Sequence, residues 1–320
     1  MCQNDRQKHS SRLLLSGKAI SGGYFMNGKS IQYLKFITAM VLWGFNGWLA
    51  AHISLSSAEI VFVRTLIGGL MLLVIVLLRR SFDVSAFKAD LTGIVGSGLF
   101  LGLNWISLFS AYQYAGVSLA TLTNYCGPIL VIALSPVLFR EKLSLNRIAA
   151  VLLVAIGMVC ISGSIDRSGD VGKGMIFGAA AALSYAGLII FNKRITHTGG
   201  MEAAMCELLI AFLVVTVDLL CTTGLPHLHG GSELWYLAVI GFVNTGLCYH
   251  LYCSSLQQLP GQTVALLCYI DPLTALFVSG VLLGEHLGAV QLIGAVLILG
   301  GAMLGEIVRR KDPPERKHQV

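Results

Sequence analysis

Residues 125–143 read YCGPILVIALSPVLFREKL, and residues 269–287 read YIDPLTALFVSGVLLGEHL. The two stretches align without a gap, the second 144 positions after the first. Tyr125 falls on Tyr269, Pro128 on Pro272, Ser135 on Ser279, Val137 on Val281, Leu138 on Leu282, Glu141 on Glu285 and Leu143 on Leu287. The same offset pairs Gly102 with Gly246 and Gly157 with Gly301, so the duplication spans about three helices of each half. Matching proline-interrupted apolar segments in the two halves of a chain mark a carrier built from internal repeats.

The composition sets this reading in a membrane. Of 320 residues, 55% are hydrophobic and 12% are charged, where a soluble domain has about 25% charged residues. Ten stretches are apolar for about 17 residues or more, enough to cross a bilayer core. They are predicted at 31–52, 57–78, 91–113, 117–139, 146–163, 172–192, 202–223, 233–254, 261–283 and 288–308. The net charge of +6 is not a nucleic-acid footprint, because its distribution follows the spans. With the N-terminus inside, Arg79, Arg80, Lys88, Arg140, Lys142, Arg147, Lys193, Arg194 and both basic tails are cytoplasmic, while Arg167 and Lys173 are external. That asymmetry places both termini in the cytoplasm and the chain in the plasma (inner) membrane as a multi-pass protein. Residues 1–30 hold only a short Leu13–Leu15 cluster and read as a cytoplasmic tail rather than a signal peptide. The eight cysteines form no CxxC and no metal-ligand spacing, so neither a disulfide framework, a metal nor a cofactor is expected.

Ten spans divide into five and five, at the polar linker SIDRSGDVGK (164–173). Five is odd, so the second half enters the membrane from the opposite side. The repeated passage agrees: Arg140-Glu141-Lys142 closes the first copy and Gly284-Glu285-His286 the second, which keeps the Glu and loses both fixed positive charges. The expected fold is therefore an all-α integral membrane protein of ten transmembrane helices in two inverted five-helix repeats. The repeats run over 31–164 and 172–308, joined by an external linker at 165–171, with tails at 1–30 and 309–320. Gly98xxxGly102, Gly280xxxGly284, Gly301xxxGly305 and the run Gly178, Ala182, Ala186 offer faces for close helix contact.

Three features together carry a family likeness: the P-x(12)-E element at Pro128–Glu141 and Pro272–Glu285, the WGFNGW segment from Trp43 to Trp48, and Arg64 in the second span. With them the chain resembles the EamA-like branch of the drug/metabolite transporter superfamily, over about residues 31–308. The resemblance implies a ten-span carrier with a central cavity near the midplane, exporting amino acids or related small metabolites. Asp271, before the second proline, departs from the apolar or uncharged residue usual there.

Polar residues inside the spans are the candidate cavity lining. They are Trp43 and Asn46 on one face of span one, Asn104 and Trp105 in span three, and Thr121, Asn124 and Tyr125 in span four. Tyr185 and Asn192 share a face of span six; span eight adds Asn244, Tyr249 and His250, and span nine adds Gln262, Tyr269 and Asp271. The paired register sets Trp105 opposite Tyr249 and Tyr125 opposite Tyr269, converging on a common centre. Aromatic walls with a few amides suit a small amphipathic solute; the bland alternative for each residue is a hydrogen bond to a neighbouring helix. Asp271 could bind a substrate ammonium, carry a proton as coupling ion, or cap amides freed at a helix kink made by Pro272, as Pro128 would make one in span four. Glu207 and Asp218 are expected near the interfaces in structural roles. Arg64 is expected to snorkel outward or bond a carbonyl, and Glu141 and Glu285 to fix the turns that follow their spans. His227 and His229 form an HxH, better read as solvated loop than metal site. No ATP-binding motif or catalytic cluster is present, so the chain reads as a secondary carrier and not an enzyme; a channel or an enzyme without a recognisable motif is the alternative. The solute, the coupling ion and the oligomeric state are left open by the sequence.

Overall fold

The computed structural model describes residues 28–139, 145–163, 169–222, 224, 233–256, 258–259, 264 and 267–311. Glu141, Gln262, His227 and His229 lie outside the described residues, as do Arg140, Lys142 and Arg167. Helices make up the architecture, and no strand occurs among the described residues. In chain order they are α1 (Gly28–Gly44), α2 (Asn46–Ala51), α3 (Ser57–Arg79), α4 (Val84–Ala89), α5 (Leu91–Asn124), α6 (Gly127–Phe139) and α7 (Leu145–Gly163). There follow α8 (Gly169–Asn192), α9 (Gly200–Cys221), α10 (Glu233–Ala238), a π-helical segment (Val239–Leu247), α11 (Cys248–Leu256), α12 (Ile270–Leu282) and α13 (Ala289–Lys311). Six described stretches are long and apolar enough to cross a membrane: Ser30–Ala51, Ser57–Arg79, Leu91–Leu134, Asp170–Asn192, Gly200–Cys221 and Glu233–Leu256. Ile148–Cys160, Ile270–Leu282 and Ala289–Gly305 are shorter apolar helices.

Local chemistry fixes where these helices begin. Ser56 caps α3 by accepting the Glu59 N–H while Glu59 Oε2 accepts the Ser56 N–H, a reciprocal capping box. Straight, α5 would hold Asn104 and Asn124 about 30 Å apart, yet Asn104 Nδ2 donates to Asn124 Oδ1 at 2.8 Å. The chain reverses between them at Gly116, with φ 79° and ψ 166°, a region open essentially to glycine alone. The helix resuming at Val117 is capped from the other end of the sequence. Glu285 Oε1 and Oε2 accept the Val117 and Ser118 N–H groups at 2.7 and 2.9 Å, and a carboxylate suits a helix N-terminus. The repeated prolines stand in the first turns of α6 and α12, after breaks at Tyr125–Cys126 and Cys268–Tyr269. They therefore start helices rather than kink continuous ones, because an N–H missing in a first turn leaves no bond unmade.

Packing runs across the sequence midpoint. The principal pairings are α5 with α8, α11 with α1, α6 with α8, α12 with α1, α5 with α9, the π segment with α3, α3 with α9, and α7 with α13. Shifted by 144 positions with the halves exchanged, α5–α8 becomes α11–α1 and α6–α8 becomes α12–α1. In the same way α5–α9 becomes the π segment with α3, while α3–α9 and α7–α13 map onto themselves. Small residues permit the closest of these approaches: a Cβ on Gly98 would meet Ile210 at 2.7 Å, and one on Gly301 would meet Val154 at 2.9 Å. The third glycine pair does not pack a helix, since α12 ends at Leu282 and Gly284 lies in the turn beyond it.

Candidate functional site: a central cavity

A cavity of about 830 Å³ lies between the halves. Of the residues the sequence nominates, Trp43, Asn46, Asn104, Trp105, Thr121, Asn124, Tyr125, Tyr185, Asn192, Tyr249 and Asp271 all line it. The aromatic rings converge as the register requires: Trp105 and Tyr249 have centroids 6.3 Å apart, and Tyr125 and Tyr269 6.5 Å. Trp43 lies 5.3 Å from both Tyr249 and Tyr252.

Three nominated residues do not line the cavity. Asn244 is buried between span one and the π segment, where its Nδ2 donates to Leu42 O at 2.6 Å and Asn46 Oδ1 at 3.2 Å. Its backbone carbonyl accepts the Trp43 Nε1–H at 2.7 Å, so this asparagine staples two helices. Tyr269 is packed in an apolar cluster with Leu122, Cys126 and Ala182, one side of its ring turned to Tyr125. His250 likewise faces away from the cavity, and its Nδ1 is buried with no hydrogen-bond partner among the described residues.

Most of the amides in the wall already have partners. Asn104 Nδ2 also donates to Ala181 O at 2.8 Å, and Asn192 Nδ2 donates to Glu207 Oε1 at 2.8 Å. Charged groups hold the wall's open polar atoms. Asp271 Oδ2 accepts the Tyr125 hydroxyl at 2.8 Å, a bond between the halves, while Oδ1 has no partner among the described residues. Asp271 stands in the first turn of α12, and among the described residues its carboxylate accepts no backbone N–H of that helix. Glu207 Oε1 accepts Ser97 Oγ at 2.7 Å as well as Asn192, and Oε2 is unbonded among the described residues.

Glu207 and Arg64 differ most from their sequence reading. Both are buried inside the protein, 5% and 2% exposed, and both line the cavity. Arg64 does not snorkel; its Nε donates to Thr245 Oγ1 at 3.1 Å and its guanidinium lies 3.9 Å from the Trp105 centroid. A signal existed: the 144 offset sets Glu207 on Val63, next to Arg64, so the two charges occupy neighbouring levels of the self-paired helices α3 and α9. Asp218 is half-buried in the last part of α9 and away from the cavity. No cluster of His, Cys, Asp or Glu suited to a metal occurs among the described residues.

At one end the cavity reaches the connection between α8 and α9, through Lys193, Thr196 and Thr198. Asp90, just before α5, ties that connection down. Its Oδ2 accepts the N–H groups of Thr196, His197 and Thr198 at 3.1, 2.7 and 2.7 Å, and His197 Nδ1 lies 3.0 Å from Oδ1. Desolvation opposes the charged carboxylate, but the His197 ring and the three backbone donors outweigh it and hold Asp90 below the usual carboxylate range.

Comparison with known proteins decides the family. The EamA-like transporter family model matches residues 30–163 and again residues 172–305. The chain belongs to the EamA-like transporter family. It is 27% identical over 294 residues to the uncharacterized transporter YxxF of Bacillus subtilis (strain 168), covering 88% of this chain and 91% of that one. It is 29% identical over 278 residues to a Salmonella typhimurium protein named "probable amino-acid metabolite efflux pump", covering 83% of this chain and 91% of that one. A solved crystal structure of a protein at 19% identity superposes with a TM-score of 0.60, covering 88% of this chain and 98% of that one; at that identity the likeness concerns the fold alone. The chain is thus a transporter, an integral membrane protein and not an enzyme.

Proposed function

We propose that the chain is a secondary-active exporter of a small amphipathic metabolite such as an amino acid, working by alternating access around the central cavity. The observation that carries this reading is Asp271, contributed by the second half, held by Tyr125 of the first half on the wall of a cavity lined by both. A group shared by two exchange-related bodies is remade when they rock, and a solute bound there is passed from one side to the other. Asp271 receives the substrate ammonium, and the aromatic wall receives its apolar part. The name of the Salmonella typhimurium relative supports the amino-acid class.

In this reading the membrane is crossed ten times by two inverted five-helix repeats, 31–164 and 172–308. The odd number of crossings per repeat turns the exchange axis into the membrane plane, and the charge asymmetry sets both termini in the cytoplasm of a plasma-membrane protein. The cavity's extension to the α8–α9 connection is then an approach from the cytoplasmic side, as export requires. Protons are the candidate coupling ion.

Counterflow in proteoliposomes tests the proposal. Vesicles preloaded with a panel of unlabelled amino acids are expected to accumulate the matching labelled one transiently, saturably and without ATP. Uptake no greater than in empty vesicles across amino acids, sugars and nucleobases sinks the carrier reading. Unitary currents would turn it to a channel.

A further inference from the structure

Arg64 is buried, yet most of its hydrogen-bonding capacity is unused. A guanidinium offers five N–H donors. The Nε donor goes to Thr245, and among the described residues neither Nη group has an acceptor and no carboxylate lies within ion-pair distance. One face is covered by Trp105 at 3.9 Å, with Phe109 at 5.1 Å. What is left open is the outer edge, Nη1 with Nη2, on the wall of the cavity. A buried cation with unmet donors is expensive. An anion on that edge would meet them.

The orientation of the edge is fixed by the π segment. Thr245 Oγ1 donates its proton to Ile240 O, five residues back, at 2.8 Å. Its lone pairs are therefore all it can offer Arg64, so the hydroxyl acts as a fixed acceptor for Nε. Gly68, one turn beyond Arg64 on α3, makes room for this: a Cβ there would stand 2.4 Å from Thr245 Cγ2. A wide turn in one helix and a missing side chain in another thus aim a guanidinium into the cavity. π turns recur at functional sites.

We propose that Arg64 is a carboxylate-binding subsite, taking the acid group of the transported solute bidentately on its two Nη groups. The proposal rests on the carrier reading for the cavity being the substrate site. Planar two-oxygen recognition is what an arginine edge provides and a lysine does not. The anion is a carboxylate rather than a phosphate, because Asp271 and Glu207 line the same cavity with an unbonded oxygen each. A second negative charge on the ligand would be repelled by them, whereas an acid group beside an ammonium meets a matched pair of charges.

The test compares acids with their amides. Purified full-length protein in detergent is titrated with L-leucine and L-leucinamide, and with 4-methylpentanoate and 4-methylpentanamide, the readout being the shift in thermal unfolding. Each pair differs in the carboxylate alone. In the wild type the acids are expected to bind about tenfold or more tightly than the amides, as for a site left with unpaired donors by the wrong ligand. Arg64→Gln is expected to erase that difference. Arg64→Lys keeps the charge and should retain part of it, and Thr245→Val, which frees Nε, should reduce it; these two variants serve where Arg64→Gln does not fold. Equal shifts from acid and amide in the wild type overturn the proposal, as does no shift from either acid, a difference that survives in Arg64→Gln, or a larger shift from inorganic phosphate. An acid preference that Arg64→Gln removes, in a protein without counterflow, upholds the subsite and counts against the carrier reading alone.

Discussion

Asp271 touches the protein through one oxygen, the Tyr125 hydroxyl, and offers the other to the cavity. A charge at the bilayer centre costs about 2.5–3.5 kcal/mol even on insertion scales, so a carboxylate in a span with no ion pair among the described residues is a functional candidate. Asp271→Asn retains an acceptor for Tyr125 and is expected to abolish coupled transport while leaving thermal unfolding in detergent within about 1 kcal/mol of wild type. Full transport by that variant would dismiss the role. Legibility at this scale followed from position in the repeat. Asp271 drew notice because its counterpart is Gly127, and the aromatic pairs followed from the register. Asn244 and Glu207 were misread for opposite reasons. An asparagine inside a span looks the same in sequence whether it faces a void or a neighbour's carbonyl. Glu207 looked peripheral because depth counted from the end of a helix takes no account of which other helices pack around it.

Among elements, the turn at Gly116 is held by a residue 168 positions further along the chain. A Cβ there would stand 2.8 Å from Glu285 Oε1, in a backbone region with φ 79° and ψ 166°. Gly116→Ala is expected to destabilise by about 1–3 kcal/mol, and Glu285→Gln by about 1 kcal/mol through loss of the charged cap. Because both act on one contact, the double variant should fall short of the sum in thermal or denaturant unfolding; strict additivity would separate the turn from its cap. The connection between α8 and α9 makes a pH-dependent counterpart. The Asp90 carboxyl is held below its ordinary value in the folded chain, so its contribution is complete above about pH 4, the unfolded value. It is lost as pH falls through the lower folded value. Comparing Asp90→Asn with wild type from pH 7 down to pH 3, the wild-type advantage in melting temperature should hold steady and then shrink below about pH 4; an advantage growing with acid contradicts the assignment. The capping role of Glu285 was anticipated as turn-fixing, but its target was not, since a residue's own turn is visible in sequence and one 168 positions away is not.

At the scale of the whole molecule, the principal helix pairings exchange halves: α5 with α8, α1 with α11 and α12, α3 with α9, α7 with α13. Two chains divided between residues 163 and 169 and co-expressed are therefore expected to restore transport, while either alone is degraded; a stable, monodisperse first half purified by itself would contradict this. The all-helical fold and its duplication were the most legible features, because the gapless register recurs in both halves. The exchange of partners was not, since a register says which residues correspond and nothing about which ones touch. That exchange bears on how the molecule is made. During synthesis α5 enters the bilayer before α8 exists, and α3 before α9. The nascent first half must wait with Gly98 and Gly102 turned to lipid, grooves shaped for Ile210 and Val214, which are still untranslated. Its final assembly is a late event that the last helices complete, and chains stalled between the halves present to the cell's quality control the surfaces that finished molecules conceal.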